Sequence, residues 1–173
     1  KLLGGDGVCT DKLPELAALW SPPASGVAAG TLAAHAVGAS ALQVAATAGH
    51  AGPVRLAALV ASLPAAQIEG LCARLRAPND YRELALLAAR LGEHLHGGGA
   101  PPPVLARDPN WVLALLEGAD AFRRPDRFEE FLQTCECEFH GRPGYEARPF
   151  PAPDHLRPAL RAAQPASARQ SRR

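Results

Sequence analysis

Hydrophobic positions along the chain recur with helical spacing, and the alternation of a half-buried strand is scarce. The clearest stripe is Phe128, Phe131, Leu132, Cys135 and Phe139, at i, i+3, i+4, i+7 and i+11. It predicts a helix bounded by Pro125, which suits a first turn, and by Gly141, which suits a stop. A second stripe joins Tyr81, Leu84, Leu87, Ala88, Leu91 and Leu95, and predicts one helix over 79–96. Asn79 or Asp80 is its expected cap, with Glu83 completing a capping box after Asp80. Asp108 before Pro109 predicts another helix start. There Trp111, Leu115 and Phe122 share a face, with Val112, Leu116 and Ala119 beside it.

The other segments carry weaker signals. A short helix is expected over 12–20, stopped by Ser21-Pro22-Pro23. Residues 31–48 are rich in alanine and carry Gly38, which predicts a helix with a thin, close-packed interface. A buried helix is expected over 54–63, ending at Pro64, then another over 65–76, ended by Ala77-Pro78. Asp154 caps a last short helix to about Ala163, and the chain beyond Gln164 is expected to fray. The run GGGAPPP at 97–103 is the strongest linker signal. The fold class that follows is all-α, an irregular array of short helices.

Composition adds a possible partner and removes some functions. Net charge is +1, so no global basic field advertises nucleic acid. Sixteen of the 18 basic residues are arginines, however, and arginine grips phosphate through two parallel hydrogen bonds. From Arg157 to Arg173 there are arginines and no acid, a tail suited to non-specific phosphate attraction. No apolar run reaches the roughly 18 residues that span a bilayer, so no membrane role is expected. Cys9, Cys72, Cys135 and Cys137 read as reduced thiols in a cytoplasmic protein.

Three motifs then resemble the C-terminal half of bacterial tRNA nucleotidyltransferases, the CCA-adding enzymes. LCARLRAPNDYRELA at 71–85 is similar to their LCxRLRVPNExRDLA. DAFRRPDR at 120–127 is similar to DAxRKPxR, and GRPGYE at 141–146 to a GRxGFE-like motif. A weaker likeness runs upstream, where KLPELAALWSPP at 12–23 resembles LPExDALFGVP. The resemblance implies a degenerate HD-like helical region over 1–96, a linker over 97–107, a helical body and tail over 108–164, and a disordered basic tail over 165–173. It implies tRNA as partner, with no DNA. Mg²⁺, CTP and ATP are implied only for a catalytic head, which is expected to be absent here, since the chain starts at Lys1 and carries no clustered carboxylates.

Many such relatives carry an HD phosphohydrolase module, whose adjacent His-Asp pair holds a metal. The resemblance puts His35 at its first histidine, Ala61 and Ser62 at the pair, and Gly92 at a further histidine. Without the pair no metal site, no cofactor and no active site are expected in this chain. His35, His50, His94 and His96 read as surface or structural, the last two without a carboxylate partner. Glu129, Glu130, Glu136 and Glu138 read as solvated helix faces. Cys135-Glu136-Cys137 offers two of about four ligands that zinc needs, with Cys137 turned some 200° from Cys135. His140 has no orienting partner for a Cys–His nucleophile.

What remains is recognition of folded RNA through phosphate contacts. The candidates are Arg74, Arg76 and Arg82 at one helix junction, and Arg123, Arg124, Arg127 and Arg142 around the next two. Stacked helices would join them into one basic face, with Arg76 and Arg142 the foremost phosphate ligands. Local ion pairs, Asp120 with Arg124 and Arg127 with Glu130, compete for the same side chains. The alternative function is a helical interaction module without RNA binding or catalysis, presenting an apolar patch near 31–48.

Overall fold

A computed structural model of the chain describes residues 29–96 and 108–170, with side chains at 37–96 and 108–164. The expected helix at 12–20, the linker and the side chain of His35 lie outside the described residues. Among the described residues every regular element is a helix, so the all-α expectation is borne out. In chain order they are α1 (Ala29–Thr47), α2 (Gly52–Val60), α3 (Ala65–Leu75), α4 (Asn79–Leu91), α5 (Glu93–His96), α6 (Pro109–Gly118), α7 (Pro125–His140) and α8 (Ala152–Gln170).

Proline and capping chemistry set most boundaries. Pro53, Pro109 and Pro125 occupy first turns, where the missing N–H has no intrahelical partner to lose. The Asp108 carboxylate accepts the Asn110 N–H at 2.9 Å, the cap expected there. The capping box of α4 does not form. Pro78 is the cap residue, no side chain caps the helix, and Glu83 points to another helix. The helix expected over 79–96 is also broken, at Gly92, into α4 and α5. α3 ends in a left-handed turn at Arg76 (φ 51°), where the Ala77 N–H reaches back to the Cys72 carbonyl. The backbone of α8 stays helical to Gln170, past the expected fraying point.

α7 is the hub. It packs against α1, α2, α4 and α5, and buries Phe128, Phe131, Leu132, Cys135 and Phe139 as the stripe predicted. Cys137, on the other side of the helix, is buried as well, because α1 and α2 cover that side with Ala41, Ala45 and Ala58. This is the thin interface that small residues in α1 predicted. Its closest point lies at Gly141, where a Cβ would stand 2.6 Å from the Ala41 nitrogen. Gly141 is thus required by backbone approach, in a right-handed conformation (φ −72°), rather than by a left-handed stop.

One hydrophobic core runs continuously from Val54 in α2 to Leu160 in α8. The chain on either side of the Gly/Pro segment therefore shares a single core. Beyond α7, Phe139 packs edge-on to Tyr145 at 5.1 Å and against Phe150 at 4.9 Å, which seats the GRPGYE turn on the hub helix. Arg157 of α8 forms a two-pronged ion pair with Glu129 of α7.

Candidate RNA-contact site

Two of the three motifs meet at one carboxylate. Glu83, in the second turn of α4, accepts hydrogen bonds from Arg124 (2.7 Å) and Arg127 (2.9 Å), which flank the start of α7. Arg127 also reaches the Glu83 carbonyl at 3.4 Å. The two guanidinium groups hold the Glu83 carboxyl below its usual range, the hydrogen bond from Arg124 first among the causes. Local ion pairs, Arg124 with Asp120 and Arg127 with Glu130, were the reading that competed with RNA contact. The partner is instead 41 and 44 residues away, because α4 lies across α7 and brings Glu83 closer than any helical neighbour.

The pair of arginines is not equivalent. Arg124 keeps 42% of its side chain exposed, whereas Arg127 keeps 19% and leaves its Nε buried with no partner among the described residues. Around them Arg82 and Arg123 are exposed and make no side-chain hydrogen bond or ion pair among the described residues. Arg76 is exposed at the left-handed end of α3, and Arg74 is exposed on the same helix. Asp120 too adopts a left-handed conformation (φ 54°), at the α6–α7 turn. Six candidate arginines thus belong to the α3–α4 and α6–α7 junctions.

Arg142 is the exception. It follows the C-terminal end of α7, roughly 25 Å of helix away from Arg124. Its Nη2 donates to Nδ1 of His96 at 2.7 Å, and the opposite ring nitrogen, Nε2, donates to the Cys135 carbonyl at 3.0 Å. The seven candidates therefore do not form one basic face. Arg82, Arg123, Arg124 and Arg127 surround the Glu83 crossing at the start of α7, Arg74 and Arg76 belong to the end of α3, and Arg142 turns inward beyond the other end of α7.

That second end holds His96, expected as surface or structural and without a carboxylate partner, and Glu138, expected on a solvated face. His96 is 3% exposed and Glu138 is 7% exposed, with His96 Nε2 3.8 Å from the Glu138 carboxylate. So His96 does have a carboxylate neighbour, and Glu138 is not a solvated face. Burial, and then the charge of Arg142, hold the His96 imidazole down at about 4, so it is neutral and free to accept from Arg142. Burial likewise lifts the Glu138 carboxyl to about 7. The overlooked signal is position: Glu138 stands seven residues after Phe131 and three after Cys135, on the apolar stripe itself. Ala61 and Ser62 lie against this group and line a cavity of about 680 Å³ together with Glu93, Glu138 and Arg142. Among the described residues no three His, Cys, Asp or Glu side chains gather as metal ligands do. No helix among them is long and apolar enough to cross a membrane.

No family model matches the chain, and no solved structure matches it. Curated proteins do. A multifunctional CCA protein of Nitrosospira multiformis is 50% identical over 97 residues, which is 56% of this chain and 22% of that protein. The chain is a homologue of the multifunctional CCA proteins. That of Thioalkalivibrio sulfidiphilus is 48% identical over 92 residues, and that of Nitrosomonas europaea 41% over 96. These alignments cover 53% and 56% of this chain, and 21% and 22% of the two relatives. The chain thus spans about a fifth of the length of the CCA proteins it matches. This homology agrees with the three motifs read from the sequence.

Proposed function

We propose that this chain is the C-terminal, tRNA-binding part of a CCA-adding tRNA nucleotidyltransferase, working in the cytoplasm. Nucleotide transfer, with Mg²⁺, CTP and ATP, belongs in this reading to a catalytic head that these residues do not include. The observation that carries it is the meeting of two homologous motifs at Glu83, which sets Arg82, Arg123 and Arg124 around one helix crossing. An RNA duplex presents phosphates on a regular curved surface and is read by shape, so fixed cations at helix junctions suit it better than base-reading side chains. Glu83 then acts as a positioning residue: it holds two arginines in place and leaves Arg124 half open to a phosphate. The Ala-rich helix that an interaction module would present has Ala41 and Ala45 buried instead.

The test is tRNA binding by the purified chain, followed by fluorescence anisotropy across a salt series. Arg123→Ala and Arg124→Ala should each weaken binding several-fold and lower the salt slope by about one. Arg142→Ala should weaken it least, since that side chain is turned to His96. No measurable tRNA affinity at low salt would defeat the proposal.

A further inference from the structure

The cavity beside Ala61 and Ser62 holds a chemical imbalance. Its walls are mostly apolar, from residues such as Val37, Leu63, Ala88 and Pro143. Into it faces the Glu138 carboxylate, more than nine-tenths buried and accepting no hydrogen bond from any described residue. Buried carboxylate oxygens normally take two or more donors. Three donors stand nearby: Ser62 has a partner of its own, and His96 and Arg142 each direct one N–H elsewhere. His96 gives its Nε2 proton to the Cys135 carbonyl, and Arg142 aims a guanidinium N–H at His96 Nδ1. Glu93 adds a second carboxylate at the exposed rim. Two acids therefore face one cation, in a space whose volume of about 680 Å³ lies within the range of small-molecule sites.

We propose that this cavity binds a small organic amine, its ammonium group on Glu138 and Glu93 and its apolar body against the Val, Leu and Ala walls. The ammonium supplies the hydrogen-bond donors that the buried carboxylate lacks, and the hydrocarbon part fits the wall chemistry. A metal ion suits the site poorly, since His96 is turned to Arg142 and Cys135 and, among the described residues, no three ligands gather as a metal needs. An anion would meet Glu138 first. This site is separate from the tRNA reading and survives or fails independently of it.

The charged or titratable groups around Glu138 are Glu93 and His96 of α5, Cys135 of α7 itself and Arg142 beyond α7; α2 and α4 contribute Ala61, Ser62, Ala88 and Ala89. Since Glu138 must be ionised to hold an ammonium, affinity should rise from pH 6 to pH 8.

Titration calorimetry with benzylamine, benzyl alcohol and benzoate tests this on the whole chain. The expected result is one saturable benzylamine site, with benzyl alcohol at least tenfold weaker and benzoate not bound. Glu138→Gln should weaken benzylamine at least tenfold, and Glu93→Gln, at the exposed rim, two- to threefold. Should Glu138→Gln fail to fold, the comparison of amine with alcohol in the unaltered chain decides. Equal binding of the two, or no amine binding at millimolar concentration, overturns the proposal.

Discussion

His96 and Glu138 are a pair of buried titratable groups whose shifts run in opposite directions. Glu138 is raised to about 7 by burial, so the folded state holds its proton more tightly than the unfolded chain does. Its contribution to stability is full below its ordinary value near 4.5 and is lost as pH rises towards 7. His96 is lowered to about 4, so the folded state resists its protonation, and stability is lost as pH falls from 6.5 to 4. Between about pH 4.5 and 6.5 the two slopes offset each other. Glu138→Gln should remove one of them. The stability difference between variant and parent should then shift by about 3 kcal/mol in the variant's favour from pH 4.5 to 7, read from urea midpoints. A difference that stayed constant with pH would show that Glu138 titrates normally. Arg76 makes a second case. A side chain in the left-handed region costs about 1 kcal/mol relative to glycine. Arg76→Gly should therefore raise stability by about that amount while weakening tRNA binding, a separation of fold from function that Arg76→Ala cannot give.

At the scale of elements, two close crossings add to the continuous apolar core. Gly141 touches the backbone of α1, and a methyl group there would sit within 3 Å of Ala41. Gly141→Ala should push α1 off the hub and cost about 1–3 kcal/mol, measured by urea unfolding; an unchanged midpoint would mean that α1 yields freely. Glu83 clips α4 to α7. Glu83→Ala should cost about 1 kcal/mol, above the median of an exposed pair, because Arg127 is left half-buried without its partner. The same change should also loosen Arg124 and alter tRNA affinity. A Glu83→Ala protein with parental stability and parental affinity would remove the clip from the account.

For the molecule as a whole, net charge and local charge tell different stories. A chain at +1 has little long-range pull on a polyanion. In the proposed reading the grip on RNA comes mainly from the arginines around the Glu83 crossing. Binding should accordingly engage few phosphates, with a salt slope of about −2 to −4 for a cluster of this size. A slope steeper by about three would mean that Arg169, Arg172 and Arg173 of the C-terminal tail also engage phosphates, and trimming 165–173 would then lower affinity. The two ends of α7 also differ in kind. One offers exposed cations around Glu83, and the other offers a buried acid beside a cavity.

Much of this was legible in residue order. Periodicity and proline placement are local, so Phe128 to Phe139, Asp108 at its cap and the small residues of α1 could be read along the chain. The three motifs with their arginines were visible for the same reason. What no local pattern contains is which helix crosses which. α4 lying on α7 sent Glu83 to Arg124 and Arg127 and left its capping box unmade. α1 and α2 covering the far side of α7 buried Cys137. The packing of α5 against α7 turned Arg142 inward and withdrew His96 and Glu138 from solvent. A side chain's partner and its charge state depend on contacts between segments dozens of residues apart, and only the assembled helices supply those.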